Sequence, residues 1–210
     1  MMIENIIFDI GGVLVDINWD LSFQGLASLG IKNTWSRVGA DEVGSWMDRY
    51  VRGQVVESEF LAQLKQQAHI GTTEVALKQA INSMLGILPH SRLHLLRQLR
   101  SQYRLYILSN THSLHVAHME ADLRAHHQVE GWHELVNHAY YSYDMGLLKP
   151  ELAIFQQVIE EQHLDPEKTL FIDDMAPNIT AAQQCGLQVW HKPQSIEMST
   201  AWLQKSTTGI

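Results

Sequence analysis

MMIENIIFDIGGVLVD, residues 1–16, decides how the rest of the chain is read. Residues 3–10 (IENIIFDI) form a short apolar run rich in β-branched side chains, and the run stops at two glycines. A run of that length between turn signals suits a strand buried on both faces, as in a parallel sheet. Open α/β sheets bind ligands outside the carboxyl ends of their strands. Asp9, followed by Ile10-Gly11-Gly12, would stand at such an end. The stretch has no basic leader and acidic residues interrupt it, so it does not read as a signal peptide.

Working outward, similar runs occur at 104–109 (RLYILS), 169–173 (TLFID) and 187–191 (LQVWH), with a further strand expected at 138–142. Helical patterns separate them. Residues 91–102 place Leu93, Leu96 and Leu99 on one face, and 151–163 bury Ile154, Phe155, Val158 and Ile159. Residues 177–185 begin with Pro177 in the first turn and stop at Gly186, an ordinary helix start and stop. Strands alternating with helices predict an α/β fold, a Rossmann-like doubly wound parallel sheet.

Residues 18–88 differ. They show no convincing strand, but amphipathic segments at 58–69 (Phe60, Leu61, Leu64) and 72–85 (Val75, Leu77, Ile81, Met84, Leu85). The expectation is an inserted all-helical cap at 18–88, with the core formed by 1–17 and 89–210. The tail after Pro193 is polar and is expected to be loosely held.

The 210 residues suffice for one or two domains with an ordinary core. A net charge of −8 disfavours polyanions, so nucleic acid is not an expected partner. The single Cys185 allows neither an intrachain disulfide nor a thiolate metal cluster and reads as a small packing residue. No stretch approaches the roughly 20 apolar residues of a membrane span. A cytoplasmic monomer with no membrane partner is expected.

The chemistry lies at the strand ends. The first ends in Asp9, the second in Ser109-Asn110 and the fourth in Asp173-Asp174, while the connection after the third delivers Lys149-Pro150. Converging carboxylates repel, and burying them unpaired is costly. A hard divalent cation removes that cost, and magnesium prefers oxygen ligands. Lys149 offers a point charge to phosphate oxygens, and Ser109 with the Asn110 backbone offers hydrogen bonds. Taken singly, Asp9 could be a turn residue, Ser109-Asn110 a capping pair, Lys149 a solvated side chain and Asp173-Asp174 helix-dipole charge. Together and in order, they describe a phosphoryl-transfer site.

That ordered set resembles the haloacid dehalogenase superfamily. FDIGGVLVD (8–16) is similar to its first motif, LSN (108–110) to its second, KPELAIF (149–155) to its third and FIDDMAPN (171–178) to its fourth. The insertion resembles the family's helical cap. DIGGVLVDINW, VRGQVVESEF and LSNTHSLH further resemble the bacterial α-D-glucose-1-phosphate phosphatase type. The resemblance implies a magnesium-dependent phosphatase acting on a small phosphate ester. Asp9 would be nucleophile and metal ligand, the Gly11 carbonyl and Asp174 further ligands, with Asp173 beside them. Asn178 would hold a metal-bound water, and Ser109, Asn110 and Lys149 would bind the phosphoryl group.

One position departs from the family pattern. The superfamily's phosphatases usually carry a second Asp, a general acid and base, where this chain has Gly11. An anomeric leaving group needs less protonation than a simple alcohol, so sugar 1-phosphates suit such a site better than alkyl phosphates. Twelve histidines include His112, His115 and His118 after the second motif. His112 could lie near the site or serve as a loop or first-turn residue, and His126 and His127 read as a solvated helix end. Trp19, Asp20, Trp46, Arg49, Tyr50 and Arg52 could contact substrate or simply pack and solvate the cap. Two other functions compete: a metal-free 2-haloacid dehalogenase, and a catalytically weakened binding or regulatory protein.

Overall fold

The computed structural model describes residues 2–31, 42–199 and 202, and the backbone alone at 42–45. Five strands, β1 (Asn5–Phe8), β2 (Arg104–Ser109), β3 (His138–Tyr141), β4 (Thr169–Asp173) and β5 (Gln188–His191), form one parallel sheet. Their order is β3-β2-β1-β4-β5. The fold is the doubly wound α/β sheet that the alternating pattern predicts.

Side chains alternate across the sheet because the strand period is two. Ile6, Phe8, Leu105, Ile107, Leu170 and Ile172 face one apolar cluster, closed by α5 (His90–Leu99) and α6 (Ser113–His127). Ile7, Tyr106, Leu108 and Phe171 face the other, closed by α8 (Leu152–Glu161) and α9 (Ala176–Gln184). β1 is shorter than the apolar run. The Ile10 carbonyl turns to accept N–H bonds from Val13, Leu14 and Val15, at 3.2, 2.8 and 2.9 Å, which ends the ladder there.

Between β1 and β2 come α1 (Trp19–Ser28), α2 (Glu42–Val51), α3 (Glu57–Gln67) and α4 (Glu74–Asn82). They share a separate apolar cluster that includes Leu26, Tyr50, Phe60, Leu64, Leu77 and Ile81, joined by Leu114 of α6. Two crossing segments tie this block to the sheet: Ile17 pairs with Leu85, and Gly86 N–H donates to the Asp16 carbonyl at 2.8 Å.

Three expectations need correction. Val75 is 64% exposed. It lies two residues before buried Leu77, roughly 200° around the helix, so both cannot face the core. His127 is buried, not solvated, and its Nε2 lies 2.7 Å from the Leu88 carbonyl. The tail is not loose through its described part. Met198 and Trp202 belong to the main core, and the Glu197 carboxylate pairs with buried Arg92 at 2.8 Å. The polar composition hid two large apolar side chains spaced to reach one patch.

Because Met198 is fully buried, Met198→Ala should lower the unfolding free energy in urea by about 2–5 kcal/mol. A loss within about 0.5 kcal/mol, the range of ordinary surface changes, would show that the tail is peripheral.

Candidate active site

The chain crosses from β3 to β4 on the opposite side of β1, so a crevice opens at the carboxyl ends of β1 and β4. Asp9 follows β1 directly, its N–H donating to the Ile172 carbonyl at 2.9 Å. Asp173 closes β4 and Asp174 follows it. One carboxylate oxygen from each of Asp9, Asp173 and Asp174 falls within 4.8 Å of the others.

Lys149 sits among them. Its Nζ lies 2.9 Å from Asp9 Oδ1 and 2.8 Å from Asp173 Oδ2, and it is almost fully buried. It arrives on a loop from α7 (Ser142–Met145) to α8, at a cis Lys149-Pro150 peptide. Asn110 at the end of β2 holds that loop reciprocally. Its Nδ2 donates to the Lys149 carbonyl and its Oδ1 accepts from the Lys149 N–H, both at 2.8 Å. The Asn110 side chain is thereby spent on placing Lys149, which leaves its backbone for a ligand. Ser109 is buried at the end of β2 and, among the described residues, its hydroxyl makes no hydrogen bond.

The two neighbouring carboxylates of β4 differ. Asp173 accepts at Oδ1 from the Met175 N–H and Asn178 Nδ2, and at Oδ2 from Asn178 Nδ2 and Lys149. Its lone pairs are occupied, so it holds Lys149 and Asn178 in place and has little left for a metal. Asp174 is half-buried and, among the described residues, accepts only from Gln194 Nε2, at Oδ2. Asp9 uses Oδ1 for Lys149 and the Ile10 N–H at 2.7 Å, and among the described residues its Oδ2 has no partner.

The electrostatics follow from this crowding. Burial pushes the Asp9 carboxyl up to about 7, with Asp173 and Asp174 adding to the shift and Lys149 opposing it. Burial works against the Lys149 charge, but Asp9 and Asp173 outweigh it and hold its pKa above the ordinary lysine value. The site therefore favours added positive charge. All its available donors are oxygens, which suits magnesium. The Gly11 carbonyl is a further candidate. The bonds of its pairing with Val15 are made by its neighbours, Ile10 O and Gly12 N. A Cβ built on Gly11 would stand 3.3 Å from Ile17 Cγ1, so an apolar side chain packs where an acid/base residue would begin.

The other candidates serve structure. His112 is buried and caps α6, its Nδ1 accepting from the His115 N–H. Its ring stacks between Tyr50 and His115, at centroid distances of 4.7 and 3.9 Å. Tyr50 also bonds Ser113 at 2.7 Å, so it joins α2 to α6. Arg52 pairs with Glu151 at 2.7 Å and with Asp48. Arg49 lies over the Trp46 ring. Trp19 and Asp20 are exposed in the first turn of α1.

Sequence reasoning missed Lys192, Gln194 and Arg92. The missed signal was positional: Lys192 directly follows β5, at the same sheet edge as the other strand ends. Arg92 lies on α5, donates to the Leu14 carbonyl at 3.1 Å and pairs with Asp16 at 2.8 Å.

Comparison with known proteins gives concordant results. A model of the haloacid dehalogenase-like hydrolases matches residues 3–186. D-ribitol-5-phosphate phosphatase of Bacteroides thetaiotaomicron is 29% identical over 206 residues, covering 98% of each chain. The sesquiterpene phosphatase astK of Aspergillus oryzae is 26% identical over 202 residues, covering 90% of each. The HAD family enzyme bt-2542 of Bacteroides thetaiotaomicron, solved in complex with magnesium and inorganic phosphate, superposes with a TM-score of 0.86. It is 26% identical, with 95% of this chain and 99% of that chain covered.

The buried histidines predict acid sensitivity. Burial lowers His115 to about 4, and burial with His115 nearby lowers His112 well below 6.5. Between about 6.5 and about 4 the unfolded chain binds more protons at these positions, so their contribution is full above that window and lost as pH falls through it. Asp9 contributes the opposite slope, so the comparison must be between variants. His112→Asn keeps a capping side chain and removes one titration. In chelator, its unfolding free energy should fall less steeply than wild type on acidification, by up to about 1.4 kcal/mol per pH unit. Parallel pH profiles would refute the assignment.

Proposed function

The chain belongs to the haloacid dehalogenase-like hydrolases, and from that premise we propose a magnesium-dependent phosphatase that acts on a phosphorylated sugar or sugar alcohol through an aspartyl-phosphate. The observation that carries the reading is Lys149, buried and bridging Asp9 and Asp173 at 2.9 and 2.8 Å beside Asp174. Phosphoryl transfer needs a positioned nucleophile and fixed charge for the equatorial oxygens, and this edge has both.

Magnesium would be held by Asp9 Oδ2, the Gly11 carbonyl and Asp174, with Asp173 and Asn178 as supporting groups. When bound it would neutralise charge on the phosphoryl oxygens. Asp9 is the nucleophile. Its carboxylate attacks phosphorus, the bond from phosphorus to the ester oxygen breaks, and the alcohol leaves with a proton from solvent. Water then attacks the aspartyl-phosphate and releases inorganic phosphate, restoring Asp9. This divides one hard displacement into two easier ones. Lys149, the Ser109 hydroxyl and the Asn110 N–H bind the phosphoryl oxygens throughout. Residues 18–88 act as the cap, whose contacts with the core through Tyr50 and Arg52 set the size of the substrate chamber and exclude water.

The sugar-phosphate class rests on two lines of support. The Bacteroides relative is a D-ribitol-5-phosphate phosphatase by name. The acid/base gap at Gly11 favours an acidic leaving group such as the anomeric oxygen of glucose 1-phosphate, since general acid help is typically worth about 10²–10⁴-fold. A haloacid dehalogenase reading is not favoured, because that reaction has no use for Asp174 beside Asp9.

Purified protein should release phosphate from glucose 1-phosphate with magnesium, and lose that activity in excess chelator. Phosphates of primary alcohols, ribitol 5-phosphate and simple alkyl phosphates alike, should be slower. Asp9→Asn should cut turnover by at least about 10³-fold while leaving the melting curve cooperative. Chelator-indifferent turnover, or an active Asp9→Asn enzyme, would defeat the reading.

A further inference from the structure

Gly12 is pinned at both ends. Its N–H donates to the Val15 carbonyl at 2.8 Å, and its carbonyl accepts from Lys192 Nζ at 2.7 Å. Its φ of +73° is in the left-handed region open to glycine. A peptide plane is rigid, and in a trans peptide the carbonyl of one residue points opposite the N–H of the next. With the Gly12 N–H aimed at Val15, the Gly11 carbonyl must point the other way. The bond from the Gly12 N–H to Val15 therefore sets the direction of the Gly11 carbonyl, and the next plane, which carries the Gly12 carbonyl, fixes the turn in which that bond forms.

Lys192 holds that next plane. It is fully buried, and the Gly12 carbonyl is the sole hydrogen-bond acceptor of its ammonium among the described residues. Burial and nearby Arg92 disfavour its charge, and Asp16, Glu197 and Asp174 support it only in part, so packing alone does not explain a lysine there. Its own backbone N–H bonds the Asp173 carbonyl at 2.9 Å, which ties it to β4. Two residues on, Gln194 Nε2 donates to Asp174 Oδ2 at 2.6 Å, in the space a side chain at Gly12 would enter. A Cβ at Gly12 would fall 2.6 Å from Asp174 Oδ2 and 2.8 Å from Gln194 Nε2. His191 adds a contact from its Nε2 to the Asp174 carbonyl at 2.9 Å.

We propose that Lys192 and Gln194, on the segment leaving β5, are positioning residues for the metal edge. Lys192 secures the turn through Gly12 that presents the Gly11 carbonyl, and Gln194 orients the Asp174 carboxylate. This rests on the reading that Gly11 and Asp174 hold magnesium. Neither residue touches substrate, and both act through groups that do not share an element with them.

The sign of the effect separates positioning from simple charge. Removing a nearby cation, with geometry unchanged, would tighten dication binding. Removing a positioning residue weakens it, and supporting groups of this kind are typically worth about 10–100-fold in metal affinity. Magnesium is titrated by calorimetry into chelator-stripped wild type, Lys192→Met and Gln194→Ala, with melting temperatures recorded alongside. Lys192→Met should weaken magnesium binding by about tenfold or more, and Gln194→Ala by about three- to tenfold. A purely structural role would lower the melting temperature and leave the affinity of the folded protein unchanged. Gln194 is exposed, so Gln194→Ala remains decisive if Lys192→Met does not fold. Wild type that binds magnesium, with folded variants binding equally or more tightly, overturns the positioning role alone. Wild type that binds no magnesium overturns the metal reading and this inference together.

Discussion

The buried contact of Lys149 with Asp9 and Asp173 constrains everything around it. Three carboxylates against one ammonium leave two negative charges when all are ionised. That residue of charge equals what a divalent cation brings. Without it, the cheapest response is protonation, and the upward push on Asp9 expresses that. The same imbalance explains why Asp173 is saturated with donors while Asp9 and Asp174 keep free oxygens. One carboxylate serves as scaffold, and the other two remain available.

The scaffold is built from loops that fix one another. Asn110 from β2 clamps the backbone of Lys149, and Lys149 in turn reaches across to β1 and β4. Lys192 and Arg92 grip the carbonyls of Gly12 and Leu14, on either side of a tight turn. The loop after Asp9 is thus held by cations from the far end of the chain and from α5. Its geometry depends on residues distant in sequence, which suits a site that must not relax when charge moves through it. On the helical side, the stack of Phe60, Tyr50, His112 and His115 joins the block at 18–88 to α6 through neutral, buried rings.

Much of this was legible in the residues. β-branched runs ending in Asp9, Ser109 and Asp173 marked strands whose ends carry polar groups, and strand ends are where such sheets do chemistry. The glycine stop after Asp9 marked the turn. Residues whose meaning depends on a partner were harder. The Asn110 backbone was read as a phosphate donor, but the second task of its side chain, clamping the backbone of Lys149, was not visible. His127 looked solvated until α6 packed it against the Leu88 carbonyl. Tail residues Met198 and Trp202 sit in a polar context, and only the core they reach reveals their weight.

Local sequence carried the alternation of strands and helices, the helices near 58–69 and 72–85 and the order of the acidic and basic groups along the chain. These follow from local periodicity and turn chemistry, which a short window contains. Tertiary structure alone decided which carboxylate is scaffold and which is free, that Ile17 packs against Gly11, and that Lys192 and Gln194 reach the edge formed by β1 and β4. Those outcomes depend on distances between residues up to 180 positions apart. No local pattern encodes such a distance, because it exists only after the sheet has assembled and its strand order has put β5 next to β4.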